Sequence, residues 1–248
     1  MKGYLGRIVL QNINEEGIKE YIRGVKKGMP IGLGYLYVSI AFGMMAVTGG
    51  VLPIQALIIS MTNLTSAGQF AGIKLIVHAA SFAEIALTVF VINIRYILMS
   101  LSLSQRLGAN MSQVKKAFIA FGITDEIFTM ASLEKQQLTC AFMLGLMTLP
   151  YIGWALGTYL GAAATMLLSP LLQDALGIAL YAMFIALIIP AARESKAVRI
   201  TLIIAIGLSC LFKYAPYVNS VSSGFAIIAA TILASALAAY LFPVKEEE

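Results

Sequence analysis

Ser60-Met61-Thr62-Asn63-Leu64-Thr65-Ser66-Ala67-Gly68-Gln69-Phe70 lies inside a run, Met29 to Ile73, that contains no Asp, Glu, Lys, Arg or His. As helix, a run of that length crosses a bilayer about twice. Hydroxyls, amides and a glycine have no place against lipid hydrocarbon. They are tolerated where a helix is interrupted and its freed backbone groups line protein or a water-filled cavity. Transporters use such discontinuous helices to hold a small solute near the membrane midplane. Ser60, Thr62, Asn63, Ser66, Gly68 and Gln69 are therefore candidate substrate-binding residues. A zwitterion suits them. The N–H groups that open a half-helix attract a carboxylate, while carbonyls that close one, or a carboxylate side chain, attract an ammonium. The rival explanation is packing, because small hydroxyl residues also let helices approach closely.

Composition places the whole chain in the same class. It is 60% hydrophobic and 12% charged, against about 25% charged in a soluble domain. Charge is gathered in a few places. Lys19, Arg23, Lys26 and Lys27 precede the first span, Arg106, Lys115 and Lys116 form a central group, and Arg193, Lys196 and Arg199 a later one. Basic residues in short loops mark cytoplasmic flanks, so the net charge of +5 does not point to nucleic acid. No signal peptide is expected, since residues 1–28 lack an apolar core of the right length before the first span. Cys140 and Cys210 both fall in apolar stretches and read as packing residues. His78 has no neighbouring ligand types, so neither a metal nor a cofactor is expected.

Three parts are expected along the chain: residues 1–28 as a cytoplasmic or interfacial amphipathic segment, 29–243 as a transmembrane transport domain, and 244–248 as a charged tail. In the first, Ile18, Tyr21, Ile22 and Val25 share one helical face. Pro30 suits the first turn of the first span, which runs to Gly49. A tight turn at Gly49–Pro53 leads to the second segment and its polar interruption. The third segment, about Leu75 to Leu103, places Glu84, Thr88, Val91 and Arg95 on one face. Glu84 and Arg95 would be about 16 Å apart along the axis, too far to pair but able to share a polar seam with Asn93. A fourth segment, Ala117–Leu133, is too short to span comfortably. Four more follow at Leu138–Ala164, Leu171–Ala191, Ile200–Tyr214 and Ser222–Phe242, with Gly145, Pro150, Gly153, Gly157 and Gly161 expected to break or thin the first of them. The fold class is thus all-α, a polytopic helical bundle with discontinuous or re-entrant helices, six to eight of which cross or enter the membrane. Eight full crossings leave Arg106, Lys115 and Lys116 outside. Re-entry by the second and fourth segments puts every basic loop inside. Segments near 53–70 and 150–178 are candidates for two inverted repeats.

Asp125 and Glu126 form the sharpest ionisable pair. A carboxylate at bilayer depth costs a few kcal/mol and faces a cavity or a partner. Adjacent helical residues point about 100° apart, so one can face inward and the other a neighbouring cation. They are candidates for ammonium ligation or proton coupling. The alternative is a structural pair at a helix end, neutralised by Arg95, Lys115 or Lys116. Enzyme readings fail on the residue types. No base accompanies Ser209 except His78, no His or Cys cluster can hold a metal, and no phosphate-binding glycine loop is present.

Several motifs are similar to those of the AzlC family. Gly28-x-Pro30-x-Gly32 with Phe42-Gly43 resembles its opening, and Ser60 through Ala67-Gly68-Gln69-Phe70 its next element. Asn93-x-Arg95-Tyr96-x-Leu98-Met99-Ser100, Thr124-Asp125-Glu126-x-Phe128 and Pro150-x-x-Gly153-Trp154-x-x-Gly157 follow in order. The resemblance runs from about residue 20 to 240. It implies the large subunit of a two-component exporter of branched-chain amino acids such as valine, leucine or isoleucine, linked to azaleucine resistance. It also implies a small AzlD-like membrane subunit as partner. The expectation is then a non-enzymatic secondary transporter of neutral amino acids in the cell membrane, with a cytoplasmic N-terminus and proton coupling suggested by the carboxylates. Branched side chains rest on the resemblance alone. A passive amino-acid channel, or a non-transporting scaffold for the small partner, are the alternatives.

Overall fold

The computed structural model describes residues 2–108, 111–167, 171, 185, 188–190 and 192–243. Their regular structure is helical: α1 (Lys2–Thr48), α2 (Pro53–Thr62), α3 (Ala67–Val77), α4 (Phe82–Asn93), α5 (Arg95–Ser104), α6 (Gln113–Phe121), α7 (Asp125–Ser132), α8 (Cys140–Leu167), α9 (Lys196–Tyr214) and α10 (Ser223–Leu241). Among the described residues four helices are long and apolar enough to cross a membrane: α1, α8, α9 and α10. The pair α4–α5, bent by 44°, adds a fifth if taken as one span. The chain is an all-α, multi-pass membrane protein. The expected segment at 171–191 lies almost entirely outside the described residues.

The chain divides into two compact units, one of Met1–Thr65 with Ile94–Leu167, the other of Ser66–Asn93 with Leu168–Glu248. In the first unit α1 lies along α8, and the register of their contacts shows that the two run parallel. A Cβ on Gly24 would lie 2.2 Å from the Phe142 carbonyl oxygen, and one on Gly43 only 2.1 Å from that of Thr158. From the other side, a Cβ on Gly145 would lie 2.1 Å from the Tyr21 carbonyl oxygen and one on Gly161 2.0 Å from that of Ile40. No side chain fits at these positions, so the two backbones touch. Lipid tails are as apolar as leucine, so helices in a membrane gain from such close backbone packing more than from burying apolar area.

This contact accounts for two differences from the expected layout. Pro30 lies inside α1 and does not open it, so the boundary expected at residue 28 falls within one continuous helix. Likewise Pro150 and the glycines of 145–161 leave α8 unbroken. The glycines sit where α1 approaches and are compensated there by packing. The face of Ile18, Tyr21 and Ile22 is left exposed, as a lipid-facing or interfacial surface requires.

The expected fourth segment is two short helices. Ser112 caps α6 by accepting the Lys115 N–H, and Thr124 caps α7 by accepting that of Ile127. Ile119, Ile123, Ile127, Phe142 and Leu146 form the core between these helices and α8. Arg106 closes α7 by donating to the carbonyls of Ala131 at 3.0 Å, Ser132 at 2.6 Å, and Glu134. The Glu134 carboxylate in turn meets Arg23 at 3.0 Å and Lys27 at 2.6 Å. Arg106 therefore stands at the same end of the unit as Arg23 and Lys27.

Two measurements test this unit. Gly161→Leu lowers stability in detergent by roughly 1–3 kcal/mol through overpacking, read as a fall in Tm. Gly34→Leu, where nothing lies within 4 Å of an added Cβ, does not lower it. Glu134, between α7 and α8, has its carboxyl held below the ordinary 4.5 by the Lys27 hydrogen bond and the Arg23 charge, against the opposing effect of burial. The folded carboxyl thus binds its proton more weakly than the unfolded one. Its contribution is full above that ordinary value and is lost as pH falls through the folded one. Glu134→Gln should melt lower than the parent at pH 7, by roughly 1 kcal/mol, with the gap closing towards pH 3.

Candidate functional site

The polar interruption is a break in the helix. α2 ends at Thr62, α3 begins at Ala67, and Ser66 between them has φ +46° and ψ −98°. A serine seldom occupies that left-handed half of the map, which costs about 1–3 kcal/mol and persists only where surroundings enforce it. Thr65 donates to the Asn63 side-chain oxygen at 2.7 Å. Two tyrosines cover carbonyls freed at the break, Tyr151 donating to that of Met61 at 3.0 Å and Tyr96 to that of Thr65 at 3.3 Å.

The six candidates of this stretch divide by what they already hold. Ser60 is buried and its hydroxyl meets that of Thr158 on α8 at 2.6 Å, which is the packing role. Thr62 donates to the Ile58 carbonyl of its own helix at 2.7 Å. Asn63 and Ser66 form the break itself. In the second unit Gly68 leaves room for Asn93, whose amide oxygen would stand 2.5 Å from an added Cβ. Gln69 is buried and bonded.

The carboxylates of the first unit lie in the first turn of α7, where the helix dipole favours negative charge. Arg95, the first residue of α5, pairs with Asp125 at 2.8 Å, both side chains 45% exposed. Tyr35 of α1 is buried, stacks edge-on against Trp154 at 5.2 Å, and its hydroxyl lies 2.5 Å from Thr124 Oγ1 and against the Glu126 carboxylate. A phenol has one proton to give. The charge-assisted bond to Glu126 is the stronger, so Thr124 donates to the phenol while accepting the Ile127 N–H. A chain of hydrogen bonds thus runs from the end of α7 into the face of α1. Sequence reading missed Tyr35. Its only signal was a phenol inside an uncharged span, which demands a buried partner.

Glu84 and Arg95, expected on one helix, fall on two, α4 and α5, with a break at Ile94, and in different compact units. In the second unit buried Glu84 accepts the Ser222 hydroxyl at 2.6 Å and the Gly224 N–H at 2.7 Å. It caps α10 from another helix, in place of Ser222, which makes no cap bond of its own. Gly224 is required, since a Cβ there would stand 2.5 Å from Glu84 Cγ. Thr88 Oγ1 and Asn93 Oδ1 are buried without a hydrogen-bond partner among the described residues. Among those residues no group of His, Cys, Asp and Glu can hold a metal ion. Removing the cap by Glu84→Ala should leave the Gly224 N–H unpaired and cost about 1–3 kcal/mol, measured as a lowered Tm in detergent.

Comparison with known proteins places this geometry in a lineage. The AzlC protein family matches residues 30–168, a stretch that holds Tyr35, the break, Arg95, Asp125, Glu126 and Trp154. The inner membrane protein YgaZ of Escherichia coli (strain K12) is 28% identical over 192 residues, covering 75% of this chain and 78% of that protein. An uncharacterized membrane protein of Archaeoglobus fulgidus is 31% identical over 172 residues, covering 68% of this chain and 74% of its own. One from Helicobacter pylori (strain J99) is 26% identical over 150 residues, covering 58% and 65%. No solved structure matches the chain significantly. On the family match and these relatives, the chain belongs to the AzlC family of membrane proteins.

Proposed function

We propose that this chain is the large, non-enzymatic subunit of a secondary transporter that exports small neutral amino acids. Valine, leucine and isoleucine are the leading substrates, and a small AzlD-like membrane subunit is the partner. The observation that carries the reading is the interruption at Asn63–Ser66 between α2 and α3. Each of those helices is too short to cross a bilayer, and interruptions of this kind are where transporters hold a small solute. Family membership and the apolar helices support the membrane setting. The choice of branched side chains rests on family resemblance.

Asp125 and Glu126 take the ammonium or the coupling proton. Arg95 and Asp125 are half exposed, so their pair can open, and an incoming ammonium replaces the guanidinium. Glu126, held by Tyr35, offers a proton path along the phenol and Thr124. The basic end with Arg23, Lys27 and Arg106 faces the cytoplasm by the positive-inside bias, which sets the N-terminus inside the cell membrane.

Proteoliposomes that hold the chain and its small partner test this. Labelled valine should show saturable counterflow. Asp125→Asn or Glu126→Gln should slow proton-driven transport about tenfold or more, as loss of a hydrogen bond to a charged group implies. Unchanged transport in both variants rejects their role. Flux that never saturates indicates a channel, and full transport by the small partner alone indicates a scaffold.

A further inference from the structure

The second unit carries an apolar groove that none of the foregoing uses. It is open along one side, with a volume of about 500 Å³, and its walls include Val198, Leu202 and Ala205 of α9 with Ala238 of α10 and Phe242 just beyond it. Thr201 is the one polar residue among the described lining, and its hydroxyl is committed to the Ala197 carbonyl at 2.8 Å. The groove follows α9 from Ala197 to Ala205, about 12 Å of helix axis, against about 15 Å for the hydrocarbon of one leaflet. Acyl chains lying along α9 suit a groove of that length and apolar lining.

Charge decides the rest. The groove reaches the end of the unit where Arg193, Lys196 and Arg199 stand exposed, with Glu194 the one acid beside them. None of these cations makes a salt bridge to a described residue. Lys196 and Arg199 begin α9, whose first turn has no acidic residue. Cations at a helix N-terminus oppose its dipole, a placement that an external anion offsets. An apolar slot of leaflet depth, topped by positive charge that no described residue pairs with, is complementary to a lipid whose phosphate bears net negative charge.

We propose that this groove binds one anionic phospholipid of the bilayer, its acyl chains along α9 and its phosphate on Arg193, Lys196 and Arg199. A zwitterionic lipid offers the same chains but brings its own cation to the cluster. Inorganic phosphate offers the charge without the chains.

Native mass spectrometry of the full chain in detergent tests the proposal, with phosphatidylglycerol and phosphatidylcholine of identical chains as probes. Phosphatidylglycerol should be retained several-fold more. The exposed triple variant R193Q/K196Q/R199Q should abolish that preference, and Ala205→Phe, which fills the groove, should reduce retention of both lipids. Excess inorganic phosphate should not displace the bound lipid. Equal retention of the two lipids by the unaltered chain overturns the proposal. So does phosphatidylglycerol retention unchanged in both variants, or displacement by phosphate alone. Truncation after Val244 should leave retention unaltered. A several-fold rise would assign the cations to Glu246–Glu248 of the same chain and overturn it as well. Because the readout is lipid retention, its result is independent of whether the chain moves amino acids.

Discussion

The backbone contact between α1 and α8 is the constraint on which the first unit depends. In lipid, apolar side chains gain little by leaving one hydrocarbon surface for another, so close approach must supply the attraction. Gly24 and Gly43 on one helix, and Gly145 and Gly161 on the other, allow it by presenting no side chain. The same glycines would weaken an isolated helix by about 1 kcal/mol each. Here their cost is offset by the partner backbone. The parallel register also fixes topology. The C-terminal end of α1 and the N-terminal end of α8 lie at opposite ends of the pair, so the chain between them must lead back from one end to the other.

That returning chain is where regular helix gives way. α2 and α3 are separated by Asn63–Ser66, and α4 and α5 by a bend at Ile94. Each interruption frees backbone groups that water would satisfy in a soluble protein. In a membrane they must find other partners. Tyr96 and Tyr151 supply them at the first break, and the bend at Ile94 turns Arg95 towards Asp125. The carboxylates of α7 are thus held by groups from α5 and α1, helices distant in sequence. Glu84 serves a comparable purpose in the second unit, where it closes the start of α10. Asp125 and Glu126 lie in the first turn of α7 and Glu84 caps the start of α10, ends where the dipole favours negative charge.

Much of this was legible in the residues. The interruption at Ser60–Gln69, the turn at Gly49–Pro53 and the ends of α10 follow from polar and glycine punctuation of apolar runs, which is local information. Thr124-Asp125-Glu126 was expected within one segment, Ala117–Leu133, and the helix start that Thr124 caps was not read. Less legible were the fates of Pro150 and the α8 glycines. A glycine-rich helix with a proline reads as a broken one until a neighbouring backbone is known to lie against it. The break at Ile94 was also hidden, because an apolar run with one periodic face reads as a single helix.

The sequence by itself determined that the chain is helical, that it lives in a membrane and that one of its apolar stretches is interrupted. Hydropathy and backbone hydrogen bonding act over a few residues and leave no other choice in lipid. Only the tertiary structure decided which polar groups are committed. Ser60 goes to Thr158, Glu84 to Gly224, Asp125 to Arg95 and Glu126 to Tyr35. The reason is physical: a polar side chain in a low-dielectric medium must be paired, but which partner it takes depends on helices packed side by side, a relation that spacing along one strand of chain cannot express.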